Sequence, residues 1–132
     1  MDYKKEFEEL VLTVIREGGS DLHLGVDRVP AIRVAGELIF LVKHAVFSKE
    51  DMFGILGELL DKPKIEKFLQ NQEMDFSYDF KGEVRLRGNA FFQKGLISLA
   101  FRFVPKVSIV TIALVSARSA FLKPAKSFMS SS

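Results

Sequence analysis

Met74-Asp75-Phe76-Ser77-Tyr78-Asp79-Phe80-Lys81-Gly82-Glu83-Val84-Arg85-Leu86-Arg87-Gly88-Asn89-Ala90-Phe91-Phe92-Gln93-Lys94-Gly95-Leu96-Ile97-Ser98-Leu99-Ala100-Phe101-Arg102-Phe103 decides the fold. Met74, Phe76, Tyr78 and Phe80 alternate with Asp75, Ser77 and Asp79. That two-residue period belongs to a strand with one face buried and the other wet. After Lys81-Gly82, Val84, Leu86, Gly88, Ala90 and Phe92 share one face, and Arg85, Arg87, Asn89, Phe91 and Gln93 the other. After Lys94-Gly95, Ile97, Leu99, Phe101 and Phe103 line a third strand, with Ser98 and Arg102 opposite. Short glycine-containing turns between such runs predict an antiparallel meander.

Upstream of the meander the period changes. Ser48-Lys49-Glu50-Asp51 reads as a capping box, followed by the helical stripe Met52, Ile55, Leu56 and Leu59. A second short helix starts near Pro63, because proline suits a first helical turn, with Ile65, Phe68 and Leu69 as its apolar face. Earlier still, Ala31 to Val34 and Glu37 to Val42 flank the turn Ala35-Gly36, and Leu22, Leu24 and Val26 alternate along another strand. Residues 3 to 17 form an amphipathic helix with Phe7, Leu10, Val11 and Val14 in one stripe, ended by Gly18-Gly19. The order helix, three strands, two helices, three strands predicts an α+β domain, an antiparallel sheet with helices on one face.

Composition narrows the function. At 132 residues, 48% apolar and 27% charged, the chain has the size and balance of one globular domain. A net charge of +2 is too small to argue for a nucleic-acid partner, which usually needs a concentrated basic face. With no cysteine there are no disulfides, thiolate metal sites or cysteine nucleophiles. The start lacks an apolar signal core, and the longest apolar stretch, Val107 to Ala117, is too short to span a bilayer as a helix. The expected setting is cytoplasmic.

Candidate chemistry is sparse. His23 and His44 are the only histidines, too few for a zinc or iron site, and His23 reads as a strand residue bonded to a neighbouring turn. Asp75 and Asp79 share a strand face about 13 Å apart, wide for a glycosidase pair. They read as solvated edge charges. No G-x-x-x-x-G-K-[ST] phosphate loop occurs. Arg85 and Arg87 project from one face about 6 to 7 Å apart. Arg102 on the next strand falls near them, its facing set by the turn register. Such a cluster can clamp a phosphate bidentately or act on a neighbour's nucleotide. It can equally be a solvated face with weak ion pairs.

Five segments in order resemble a known family. They are Ser20-Asp21-Leu22-His23-Leu24, Pro30-Ala31-Ile32-Arg33-Val34-Ala35-Gly36, Glu73-Met74-Asp75-Phe76-Ser77-Tyr78, Arg85-Leu86-Arg87-Gly88-Asn89-Ala90-Phe91-Phe92-Gln93 and Phe101-Arg102-Phe103-Val104-Pro105. Together they look like the N-terminal domain of the PilT-type ATPases that retract type IV pili. The resemblance covers residues 1–106. Residues 107–132, apolar and then serine-rich, have no family counterpart, and residues 126–132 are expected to fray. Gly88 stands where the family has a branched apolar residue, a change expected to loosen that strand.

The resemblance implies a PAS-like domain from a hexameric motor that couples ATP hydrolysis to twitching motility. In that family, arginines matching Arg85, Arg87 and Arg102 help bind the nucleotide between this domain and the ATPase domain. It implies ATP and Mg2+ as cofactors of the full-length family and none for this stretch alone. It implies as partners the ATPase domain of the same or a neighbouring subunit and the pilus platform protein, at the cytoplasmic side of the inner membrane. The chain is expected to stop short of the phosphate loop and to be inactive alone. The competing expectation is a stand-alone PAS-like module that binds a ligand or partner without a motor role.

Overall fold

A computed structural model describes residues 1–105. The proposed tail at 107–132, its apolar run and its fraying end lie outside the described residues.

Helix α1 (Tyr3–Glu17) begins where the Asp2 side chain accepts from the Lys5 N–H. It ends where Gly18 takes up φ 71° and its N–H bonds back to the last turn. Phe7, Leu10, Val11 and Val14 are the buried stripe. Strands β1 (Asp21–Gly25), β2 (Ala31–Val34) and β3 (Glu37–Phe40) follow. Then come α2 (Lys49–Leu59), α3 (Lys62–Asn71), β4 (Glu73–Phe80), β5 (Val84–Gln93) and β6 (Leu96–Pro105). Helix α2 opens with the complete capping box: Ser48 Oγ accepts from Asp51 N–H, and Asp51 accepts from Ser48 N–H. In α3 only Phe68 is fully buried, and Leu69, expected on its apolar face, is 43% exposed. A ten-residue helix docked at the sheet's β4 edge covers a single stripe, and Leu69 lies outside it.

All six strands join one antiparallel sheet in the order β3-β2-β1-β6-β5-β4. The two three-strand units meet where β1 pairs β6, Leu22 opposite Phe101 and Leu24 opposite Leu99. Two hairpins set the register with two-residue turns whose φ values are all positive: Ala35 52° and Gly36 83°, Lys94 54° and Gly95 78°. Turns of that hand match the right-handed twist of the strands they join. Beyond β1 the ladder is extended by Phe103 N–H to Ser20 O (2.9 Å) and Ser20 N–H to Arg33 O (2.8 Å).

The three helices cover one face. Leu22, Leu24, Ile32, Leu86, Ala90, Ile97, Leu99 and Phe101 point into the core beneath them. Each of the leucine, isoleucine and phenylalanine side chains among them contributes about 1.5–3 kcal/mol when fully buried. Phe7 lies 5.1 Å from the Phe101 ring and 5.6 Å from Tyr78, and Phe68 stacks on Phe92 at 4.9 Å. Burial pushes the Tyr78 hydroxyl above its ordinary pKa. Gly88 does not leave the loose spot expected of it. The ring of Phe76, its direct partner on β4, occupies the space a side chain would take, so a Cβ there would meet that ring 2.5 and 2.9 Å away and closer still at a third atom.

Candidate functional site

The other face of the sheet carries no helix. Alternation places on it Asp75, Ser77 and Asp79 of β4, Arg85, Arg87 and Asn89 of β5, and Arg102 of β6. Asp21 and His23 of β1 and Arg33 of β2 lie on it too. Register then arranges these residues in ranks across the strands. One rank reads Ser77, Arg87, Arg102, Asp21, Arg33, each residue directly opposite the next. The neighbouring rank reads Asp79, Arg85, Val104.

The structure therefore gathers all three predicted arginines on one surface. The two-residue turn at Lys94-Gly95 pairs Gln93 with Leu96 and so brings Arg102 opposite Arg87, on the same face. All three are exposed. Side chains directly opposite on antiparallel strands have Cβ atoms roughly 4.5–5.5 Å apart, and like charges so placed repel. Local stability alone does not favour this pair. Asp21 moderates it from the far side: its Oδ2 lies 3.9 Å from Arg102 Nε, and its Oδ1 accepts from Ser20 Oγ at 2.6 Å. The Arg102 side chain is 74% exposed, so the ion pair orients it weakly and leaves it open to solvent.

The carboxylates of β4 have structural partners. Asp75 accepts from Asn89 Nδ2 at 2.7 Å and Glu73 accepts from the same amide at 3.2 Å. Asp79 accepts from the Gly82 N–H at 3.2 Å, closing the β4–β5 turn. Asp75 and Asp79 are exposed on the edge strand β4, as their reading as solvated edge charges expects, and these hydrogen bonds add to that role. His44 meets Glu6 at 3.4 Å and Ala45 O at 2.7 Å. Among the described residues no three histidine or acidic side chains converge as a metal site.

His23 departs from its expected role. It makes no hydrogen bond through Nε2, which is buried without a partner. A buried polar atom left unmade costs about 1–3 kcal/mol. The histidine sits on the open face one step along β1 from Asp21's rank, opposite Ala100 and Ala31. Ser98, expected on the polar side of β6, is there, yet it is 7% exposed. Sequence alternation gave the facing of both residues. It carried no signal of the walls that rise around them from Arg28, Leu38 and Phe40.

No family model matches the chain. Over 97 residues, 74% of its length, it is 28% identical to the type IV pilus ATPase PilU of Pseudomonas aeruginosa, of which it covers 25%. It is 35% identical over 98 residues to YggR, an uncharacterised protein of Escherichia coli K12, covering 29% of it. The solved structure of the pilus retraction motor PilT with bound ADP superposes with a TM-score of 0.69 at 30% identity, over 76% of this chain and 29% of that one. The ATPase DotB of Legionella pneumophila gives 0.65 over 83% of this chain and 34% of DotB at 15% identity, a likeness of fold alone. The chain thus spans about a quarter of the length of the curated relatives it matches.

Proposed function

This chain carries the N-terminal domain of the PilT-type pilus ATPase family, and from that premise we propose that its open sheet face lends Arg85, Arg87 and Arg102 to the phosphates of a nucleotide held by an ATPase domain. The observation that carries the reading is the juxtaposition of Arg87 and Arg102. Two guanidinium groups directly opposite each other repel when nothing lies between them. A polyphosphate above the pair turns that repulsion into two converging charge-assisted clamps. A rigid antiparallel sheet holds both at fixed spacing, which is what electrostatic stabilisation of a phosphoryl group requires. Arg85, one rank away and opposite Asp79, extends the same positive strip along β5.

In this proposal residues 1–106 form the arginine-bearing domain. The phosphate loop and Mg2+ belong to the ATPase domain of the same or a neighbouring subunit. Assembly is a homo-hexameric ring at the cytoplasmic side of the inner membrane, working on a pilus through its platform protein. No described helix is long and apolar enough to cross a membrane. The domain binds no metal and hydrolyses no ATP by itself, because the groups that position Mg2+ and the attacking water lie elsewhere.

The test pairs this chain with a separately produced ATPase domain of a PilT-type relative and measures affinity for ADP. Adding the chain is expected to tighten binding. The double substitution Arg87→Ala and Arg102→Ala should abolish the gain, a loss of at least about tenfold for charge-assisted hydrogen bonds of this kind. Equal affinity with wild-type and doubly substituted chain would remove the assigned role.

A further inference from the structure

We infer that the cleft on the β1–β2–β3 end of the open face, built around His23, binds a small organic acid: a carboxylate on an apolar or aromatic body. This goes beyond the proposed nucleotide role and uses a different part of the sheet. The cleft holds about 240 Å³, below the range of roughly 300–1,000 Å³ that takes drug-sized ligands. Its size suits a molecule of about ten heavy atoms.

Three observations define the ligand. The first is charge: Arg28 and Arg33 both line the cleft, and no carboxylate does. Arg33 spends one N–H on Gly36 O at 3.1 Å, and a guanidinium has four more to give. Arg28 lies flat against the strand where Gly25 has no side chain; a Cβ there would stand 3.3 Å from its Nε. The second is unsatisfied polarity: His23 lines the cleft with Nε2 buried and unpartnered, beside the buried Ser98. That nitrogen is closed to solvent, so a ligand oxygen becomes its partner only as the imidazole turns toward the cleft. The third is the wall: Phe40, 57% exposed, and Phe91 offer apolar surface that a bare inorganic anion would not use. A planar carboxylate matches the guanidinium fork, and its hydrocarbon body covers the phenylalanine surface.

The experiment titrates the 132-residue chain with benzoate and follows the ring-proton NMR signals of its two histidines. His44, held by Glu6 and Ala45 away from the cleft, is the internal control. We expect a saturable shift of the His23 signal with a Kd of about 1 mM, ordinary for a ligand of this size, and an unmoved His44 signal. Benzamide, the uncharged isostere, should bind at least about tenfold more weakly, as should benzoate to the Arg28→Gln, Arg33→Gln chain. Arg28→Lys, which keeps the charge and loses the fork, should fall between the two. The inference is overturned by non-saturating shifts or by both histidines moving together. Benzamide binding as tightly as benzoate would leave only an apolar crevice. Inorganic phosphate binding as tightly as benzoate would remove the organic body from the claim.

Discussion

Gly88 offers the sharpest test of the packing that supports the arginine strand. Replacing it with valine, the kind of residue the family resemblance places there, puts a Cβ into the ring of Phe76, with contacts at 2.5 and 2.9 Å and one shorter. Real Cβ atoms do not approach carbon so closely, so the ring must move. Its far edge is what the new atom meets, and β4 is an edge strand, so the ring can swing without breaking the sheet. In doing so it forfeits its edge-on contact with Phe101 at 5.9 Å. An aromatic pair of that kind is worth about 0.5–1.5 kcal/mol beyond burial, and overpacking costs typically 1–3 kcal/mol. Gly88→Val should therefore destabilise by about 1–3 kcal/mol. Urea unfolding followed by circular dichroism measures it, with an unchanged m-value marking a change in stability alone. The companion substitution Phe76→Ala removes the obstacle. The double variant should then be more stable than the sum of the single losses by about 1 kcal/mol, the coupling expected of residues in contact. Additivity within about 0.3 kcal/mol would refute the reasoning, because it would mean that the two positions do not share one volume.

Two further outcomes follow from the helix-side contacts and the exposed edge. Asp51 is held below the usual carboxylate range first by the Ser48 backbone N–H and then by the hydroxyls of Ser48 and Tyr3. Its folded form thus resists protonation more than its unfolded form. The stability it contributes is present above the ordinary carboxylate pKa, about 4, and is lost as pH falls through its lowered folded value. Asp51→Asn should flatten that part of the stability–pH curve and bring the Tyr3 hydroxyl, raised chiefly by its bond to Asp51, back down, as read by ultraviolet titration. On β3, where every residue is exposed and the strand edge is unpaired, Phe40→Lys should change unfolding stability by less than about 0.5 kcal/mol while reducing self-association in light scattering.

Local chemistry wrote most of the elements legibly. The alternation in β4, β5 and β6, the Ser48 capping box and the Gly18 helix stop each act over a few residues, so the chain displays them directly. The joining of β1 to β6 does not act locally. Leu22 meets Phe101 across most of the domain, and nothing in either segment names the other. The arginine face was half legible. Arg85 and Arg87 share a face by spacing alone, whereas Arg102 needed the number of residues in the Lys94-Gly95 turn. The His23 cleft was illegible for a different reason. Its walls come from the β1–β2 connection, from β3 and from Phe91 and Gln93 of β5, and the burial of Ser98 and of His23 Nε2 emerges only when those segments come together. Leu69 shows the converse: its helical spacing predicts a core residue, yet it lies beside the single stripe, centred on Phe68, that α3 buries.

The hairpin between β5 and β6 works as a ruler. Every pair along it has residue numbers that sum to the same total, from Gln93 with Leu96 to Arg87 with Arg102. One amino acid inserted at its tip, if the two-residue turn is kept, slides the partner strand by a single step and turns Arg102 toward the hydrophobic interior. Two inserted together would return it to the outside, displaced along the strand. Length variation that keeps the two-residue turn should therefore be tolerated in even steps and resisted in odd ones, a parity rule imposed by strand geometry on a position that touches no ligand.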